Sequence, residues 1–92
     1  MLGDKQLVIY DLETTGLDKS KDQIIQFAAV KYDWNKKKIV DSKNLYIQPI
    51  GNYSIPIGAY MVHGITCEFL KDKPHFKDVA QSIYDFFNGC DV

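Results

Sequence analysis

The segment LVIYDLETTGL, residues 7–17, decides how this chain folds. It begins with an apolar run rich in β-branched and aromatic side chains, which predicts a strand buried on both faces. Because side chains alternate across a strand, Asp11 and Glu13 project from one face while Leu12 projects from the other. Paired carboxylates on a rigid strand suit a hard divalent cation such as Mg²⁺ or Mn²⁺, which selects oxygen ligands. The segment therefore predicts a metal site at Asp11 and Glu13.

The residues that follow the acidic pair are polar and turn-forming. Thr14 and Thr15 offer hydroxyls and backbone N–H groups, and Gly16 can turn the chain at positive φ. Interpreted from local chemistry alone, the threonines bond nearby backbone and the acids form a solvated strand end. An acidic pair at this spacing could also suggest glycoside hydrolysis, but no flanking pattern of sugar-binding aromatic residues supports that chemistry. Leu17 has two interpretations, core packing and contact with a substrate.

Length, composition and net charge limit the classes of protein to which the chain can belong. The chain has 92 residues, which allows one small domain near the lower limit for an adequate core. Hydrophobic residues at 46% indicate a globular domain, and a net charge of −1 gives no polybasic signature of strong nucleic-acid binding. All 11 basic residues are lysines. Any phosphate must therefore be met by lysine, backbone N–H groups or metal ions, without bidentate arginine contacts.

Cysteine use and hydropathy indicate the compartment. Cys67 and Cys90 lack metal-ligand spacing and are expected to be reduced thiols. The first residues lack the charged and apolar regions of a secretory signal, and no apolar run approaches membrane-spanning length. These features predict a cytoplasmic protein.

The order of elements predicts strands followed by helices. After a polar loop at 18–22, apolar runs at 23–32 and 39–48 predict the second and third strands, and Pro49 stops the third. Short polar turns between the strands predict an antiparallel meander. The lysines at 36–38 are expected to form a solvated turn rather than a nucleic-acid contact.

Helical patterns occupy the second half of the chain. A short helix is predicted at 57–63, opened by Pro56 and closed by Gly64. A second turn or helix at 66–71 begins with its threonine as N-cap. The clearest amphipathic pattern covers 75–88, with His75 expected at the surface. Its apolar stripe consists of Phe76, Val79, Ala80, Ile83 and Phe87.

Two segments carry a resemblance to a known family. DLETTGL, residues 11–17, resembles the first motif of the DnaQ-like DEDD 3′–5′ exonucleases, which include proofreading subunits of replicative polymerases. AYMVHGIT, residues 59–66, is similar to the VHGIT segment of the same family. The resemblance extends over the whole chain but matches only about the first half of the family's domain. Residues 1–92 are therefore interpreted as the N-terminal portion of a single exonuclease domain.

The resemblance implies a fold. It is α/β and ribonuclease-H-like, with a mixed sheet in which a three-stranded antiparallel meander is followed by helices. The family's strand order, 3-2-1-4-5, places the first strand in the centre. Residues 90–92 are interpreted as the approach to a fourth strand, so the fold is expected to be incomplete after the first long helix. The first strand would then have an unpaired edge carrying Val8 and Tyr10, which predicts self-association.

The resemblance also implies an activity. The family hydrolyses the terminal phosphodiester of DNA or RNA with two divalent metal ions, Mg²⁺ or Mn²⁺. Asp11 would bridge the metals, and Glu13 would bind the metal on the nucleophile's side. Without the family, His63 before a helix-ending glycine is a helix cap. The implied substrate contacts are Leu12, Thr14, Thr15, Gly16, Leu17, Val62 and His63.

The implied partners are the 3′ end of single-stranded DNA or RNA and a polymerase or other replication protein, with no membrane. The family's second and third motifs, which supply further aspartates and the general base, have no match here. Asp85 and Asp91 lie before the expected position of the second motif and cannot replace it. The chain is therefore expected to be weak or inactive alone. The alternative is a non-catalytic nucleic-acid-binding or assembly module derived from an exonuclease.

Overall fold

A three-stranded antiparallel sheet followed by three helices makes up the fold. The computed structural model describes residues 6–18 and 20–91. The strands pair in the order β1-β2-β3, as expected for a meander. This confirms the predicted architecture. The elements are β1 (Gln6–Thr14), β2 (Ile24–Asp33), β3 (Lys38–Tyr46), α1 (Ile57–His63), α2 (Cys67–Leu70) and α3 (Phe76–Phe87).

The register of β1 against β2 positions the acidic pair. Asp11 lies opposite Ala28 and Glu13 lies opposite Gln26, and the register shifts between Glu13 and Thr14. At this shift two residues of β2 face one residue of β1, so the bulge lies in β2. The acidic pair thus lies in the last four residues of β1, where Asp11 is exposed and Glu13 is half-buried.

The core lies on one face of the sheet, beneath α3. Val8, Phe27 and Ala29 are buried there together with Phe86 of the helix. The predicted alternation of β2 is confirmed, because Ile25, Phe27 and Ala29 are all buried. The predicted apolar stripe of α3 is displaced at its start. Phe76 is largely exposed, and Phe86 is the most buried residue of the helix.

The prediction that β1 is buried on both faces is wrong. Val8 is buried, but Ile9 is 56% exposed and Tyr10 and Leu12 are also open to solvent. Ile9 lies on the face opposite α3. Tyr10 and Leu12 share the face of Val8, but α3 covers them only in part because β1 is an edge strand of the described sheet. The approach to a fourth strand is confirmed by a parallel bridge between Leu7 and Asp91.

The first short helix, α1, has the predicted bounds, with Pro56 at its N-cap, and α2 lies within the predicted range 66–71. Gly64 ends α1 at φ 69°, in the left-handed region that favours glycine. Thr66 Oγ1 accepts a hydrogen bond of 3.1 Å from the Phe69 N–H and begins α2. Cys67 and Cys90 are free thiols. Within the described ranges, the helices are too short or too polar to cross a membrane.

His75 is not the unattached surface residue that the sequence suggested. Its Nδ1 lies 2.9 Å from the Gln48 carbonyl, and its backbone N–H donates to Asp78 at 3.3 Å. The Asp78 carboxylate thus caps the start of α3, and the Asp78 N–H donates to the His75 carbonyl at 3.0 Å. The histidine therefore connects the helix to the segment after β3.

Candidate nucleotide-binding groove

The loop after β1 is organised by Asp22, which sequence reasoning missed. Its Oδ1 accepts a hydrogen bond of 2.9 Å from the Thr15 hydroxyl, and its Oδ2 accepts one of 2.8 Å from the Asp18 N–H. The backbone N–H of Asp22 also donates to the Asp18 carbonyl at 2.8 Å. An acid that closes a polar loop before an apolar strand is the signal that could have identified it.

Thr15 and Gly16 are held in this loop. Thr15 is buried, and its hydroxyl both donates to Asp22 and accepts from the Gln23 N–H at 3.0 Å. Gly16 lies so close to the Asp22 carboxylate that a Cβ atom there would be 2.5 Å from Oδ2. Thr14 Oγ1 donates to the Gly16 carbonyl at 2.6 Å. The hydroxyls of both threonines are thus used within the chain, as the local interpretation predicts.

A groove of about 560 Å³ lies between the end of β1 and α1. Its walls come from two segments that are distant in the sequence, the DLETTGL segment and the helix that precedes Gly64. Of the predicted site residues, the structure brings seven to this groove, and it places Asp11 and Thr15 outside the lining. The lining residues are Leu12, Glu13, Thr14, Gly16, Leu17, Pro56, Gly58, Ala59, Val62 and His63.

Apolar side chains open to solvent line both walls of the groove. Leu17 is fully exposed at 100%, so it does not pack in the core of the described residues. Val62 on the α1 side is also exposed, and α1 buries none of its residues. Exposed apolar side chains at a concave site are typical of ligand-binding and other interaction surfaces.

His63 has a defined tautomer. Its Nδ1 accepts a hydrogen bond of 3.0 Å from the Ile65 N–H, so the neutral ring carries its proton on Nε2. The Nε2 atom is buried and has no hydrogen-bond partner. The ring therefore supports the chain just beyond α1, and it leaves one donor for an acceptor that the described residues do not supply.

Known exonucleases are similar to this chain in sequence. The sequence matches the exonuclease family named for ribonuclease T over residues 8–92. The chain belongs to this exonuclease family. It is 34% identical over its full length to DNA polymerase III subunit epsilon of Haemophilus influenzae, of which it covers 37%. It is 39% identical to the corresponding subunit of Buchnera aphidicola, with 92% of this chain and 37% of that one covered.

Solved structures of an exonuclease have the same fold. The chain superposes on Escherichia coli exonuclease I in complex with an oligonucleotide, with a TM-score of 0.79 and 27% identity. The match covers 92% of this chain and 19% of exonuclease I. The fold is therefore ribonuclease-H-like, as the sequence resemblance implies. The chain spans only about a third of the length of the epsilon subunits that it resembles.

The exonuclease family generally uses divalent metal ions, and the donor type here fits them. Asp11 and Glu13 offer hard carboxylate oxygens from alternate positions of one strand, on the sheet face opposite α3. In residues 6–18 and 20–91, however, no group of three or more His, Cys, Asp or Glu side chains lies close enough to hold a metal ion. Asp11 and Glu13 therefore do not form a complete ligand set with other described residues.

Proposed function

We propose that this chain forms the part of a metal-dependent 3′–5′ exonuclease that holds the terminal nucleotide of single-stranded DNA or RNA. The observation that carries the proposal is the groove itself. It unites the glutamate of the DLETTGL segment with Val62 and His63 of the VHGIT segment, and its volume is about 560 Å³. Two family motifs that meet at one concave surface support a common ligand.

The groove offers two kinds of contact. Leu17 and Val62 present exposed apolar surface from opposite walls, which suits the face of a nucleobase. His63 also lines the groove, and its Nε2–H has no partner among the described residues. Because Nε2 is buried, the ring must turn outward for this donor to reach a sugar or phosphate oxygen. Thr14 and Gly16 also line the groove, so we assign their backbone to contact with the sugar. These roles orient the last nucleotide with its phosphate towards the Asp11 and Glu13 carboxylates.

The proposed reaction is hydrolysis of the terminal phosphodiester. A water oxygen attacks the phosphorus, the bond to the 3′ oxygen of the preceding nucleotide breaks, and that oxygen takes a proton. The product is a nucleoside 5′-monophosphate. Bound divalent ions, Mg²⁺ or Mn²⁺, supply Lewis-acid activation and charge neutralisation, and Asp11 and Glu13 would hold them. Because two carboxylates leave such ions under-liganded, we expect the 92 residues alone to be weakly active or inactive.

The comparisons support a setting for this activity. The relatives include DNA polymerase III subunits, so we propose that the parent protein acts beside a replicative polymerase in the cytoplasm. A second candidate function is a non-catalytic module that binds nucleic acid or assembles with other proteins. The observation that favours it is the incomplete ligand set among the described residues.

Calorimetric titration of the 92-residue protein with thymidine 5′-monophosphate, with and without Mn²⁺, tests the proposal. We expect nucleotide binding that Mn²⁺ strengthens, because the phosphate and the carboxylates share the metal. Asp11→Asn and Glu13→Gln should each remove the Mn²⁺ effect. Asp41→Asn, an exposed aspartate on β3, serves as the matched control and should change nothing.

Each outcome separates the two functions. Binding that Mn²⁺ strengthens, together with slow release of mononucleotides from the 3′ end of a labelled oligonucleotide, supports the exonuclease. Nucleotide binding that ignores both Mn²⁺ and the carboxylates would favour the non-catalytic module. Absence of nucleotide binding by a folded protein would reject the groove as the site.

A further inference from the structure

The hairpin between β2 and β3 carries an exposed cluster of aromatic and basic residues, here called the lysine tip, residues 34–38. Every side chain in it is exposed. Trp34 is 50% exposed and contacts Tyr32 edge to face, with ring centroids 5.6 Å apart and an interplanar angle of 88°. An edge-to-face contact leaves an indole face free for a planar ligand.

The turn is held by Asp33, which is buried. Its Oδ1 accepts from the backbone N–H groups of Asn35 and Lys36, both at 2.9 Å, and its Oδ2 accepts from Gln6 Nε2 at 3.1 Å. The Asp33 carboxylate is thus directed into the turn. Across the described ranges, none of the lysines at 36–38 is within 4 Å of a carboxylate oxygen in an ion pair. The lysine tip therefore presents a net positive charge.

Lys37 has a left-handed backbone conformation, which glycine and asparagine adopt more readily than lysine. It is the one non-glycine residue with positive φ among those described, at 56°. Glycine or asparagine would occupy this left-handed position at lower backbone cost, yet the chain has the middle of three consecutive lysines there. The chain therefore has a positive charge at a position where the geometry of the turn alone would favour a different residue.

We propose that the lysine tip is a second contact for single-stranded nucleic acid, with phosphates on its lysines and one base stacked on Trp34. Charge complementarity and an available aromatic face are the two features that such binding uses. The proposal rests on the proposed function, since the strand that reaches the tip is the one whose 3′ end lies in the groove. The sequence alone predicts a solvated turn. The exposed indole beside the lysines favours a nucleic-acid contact instead.

The separation of the two sites sets the length of strand required. β2 runs from Gln26, opposite Glu13, to Asp33 at the turn. Those seven steps along a strand span roughly 23 Å. A stacked nucleic-acid strand advances about 3.4 Å per nucleotide, so about seven nucleotides separate the groove from the tip. A mononucleotide cannot reach both sites.

Trp34 is the only tryptophan in the chain, so its fluorescence reports on the tip alone. A dT15 oligonucleotide should quench its emission, and thymidine 5′-monophosphate should not. The double variant Lys36→Glu, Lys37→Glu should weaken dT15 binding about tenfold and lower the salt slope by about 1.4, since each phosphate contact to a single strand contributes about 0.7. Mononucleotide affinity should stay unchanged.

The double variant Lys71→Glu, Lys77→Glu alters net charge equally at other exposed positions and serves as the control. It should affect dT15 binding less than the tip variant does. The proposal is overturned if dT15 binds, by anisotropy of a labelled strand, without quenching Trp34, or if dT15 does not bind at all. Either result leaves mononucleotide binding as a separate measurement, so failure of the tip and failure of the groove are distinguishable.

Discussion

Gly16 and Asp22 lie in such close contact that no side chain fits between them. A Cβ atom on Gly16 would be 2.5 Å from Asp22 Oδ2 and 2.9 Å from Cγ. The carboxylate cannot easily withdraw, because it accepts hydrogen bonds from the Thr15 hydroxyl and the Asp18 N–H. The glycine of the DLETTGL segment is therefore required by packing against an acid six residues later. This contact fixes the loop that carries Leu17 to the groove.

We predict that Gly16→Ala lowers the free energy of unfolding by about 1–3 kcal/mol, the usual cost of forcing an extra methyl group into a packed site. Gly58→Ala is the matched control, because it also lines the groove but has no atom within 4 Å of its Cβ position. It lies in α1, so alanine should leave stability unchanged or raise it by up to about 1 kcal/mol. Urea unfolding of both variants checks the difference. Equal stability would contradict the packing argument.

A double-mutant cycle tests whether Asp22 causes that cost. Asp22→Ala removes the acceptor of two hydrogen bonds and should destabilise the chain by about 1–3 kcal/mol. It also removes the atoms that the new methyl group would meet. In the Asp22→Ala background, Gly16→Ala should therefore cost much less than in the native chain, with a coupling above about 0.5 kcal/mol. Additive losses would show that the glycine is required for another reason.

His63 should have separable effects on stability and binding. Asparagine at this position keeps an acceptor near the place of Nδ1 for the Ile65 N–H but lacks the Nε2 donor. We predict that His63→Asn nearly preserves the free energy of unfolding, while His63→Ala loses about 1–3 kcal/mol because a hydrogen bond to buried Ile65 is lost. Both variants should weaken mononucleotide binding similarly. Unchanged binding in both would remove the Nε2 donor from the proposed site.

Most of the fold could be predicted from the sequence because its signals are local. Alternation in β2 predicted the burial of Ile25 and Phe27, and cap residues predicted α1 and α2. Burial of β1 could not be predicted in the same way. An apolar strand that is later covered and one that remains at an edge have the same composition, and Ile9 is exposed here.

The candidate site could likewise be predicted only in part from the sequence. Resemblance of the two motifs to a known family predicted that Glu13 and His63 belong to one site, and in the structure both line one groove. Asp22 had only a weak local signal, its position at the end of a polar loop, because its function depends on the approach of Gly16 and the Thr15 hydroxyl in three dimensions. The position of Trp34 beside the lysines likewise became informative only once its exposure was known.

Asp33 should make the β2–β3 hairpin sensitive to acid. The N–H of Lys36, with a further hydrogen bond from Gln6, lowers the pKa of the Asp33 carboxyl from its ordinary value of 3.8. A lowered folded-state pKa contributes stability that is complete above about 3.8 and is lost as pH falls through the folded-state pKa. We predict that Asp33→Asn is less stable than the native chain at pH 7. The difference should shrink below pH 3.8, when measured by urea unfolding across pH.

The exposed edge of β1 should cause self-association of the 92-residue protein. β1 has the run Val8–Leu12, whose one charged side chain is Asp11, and its outer edge is paired in the described residues only at the Leu7–Asp91 bridge. β3, at the other edge, has Lys38, Asp41 and Lys43, and charged residues of this kind discourage edge pairing. We therefore predict that association occurs through β1 and not through β3.

Substitution of two isoleucines with nearly equal exposure, one on each edge strand, tests which edge associates. Ile9 on β1 is 56% exposed and Ile39 on β3 is 58% exposed, so replacing either with lysine has a similar direct effect on the folded chain. A lysine near the pairing edge should oppose contact between two copies through charge repulsion and desolvation. Ile9→Lys should shift sedimentation at micromolar concentration towards the monomer, and Ile39→Lys should leave the distribution unchanged. A native chain that is already monomeric under these conditions, or an Ile39→Lys variant that alone dissociates, would contradict association through β1.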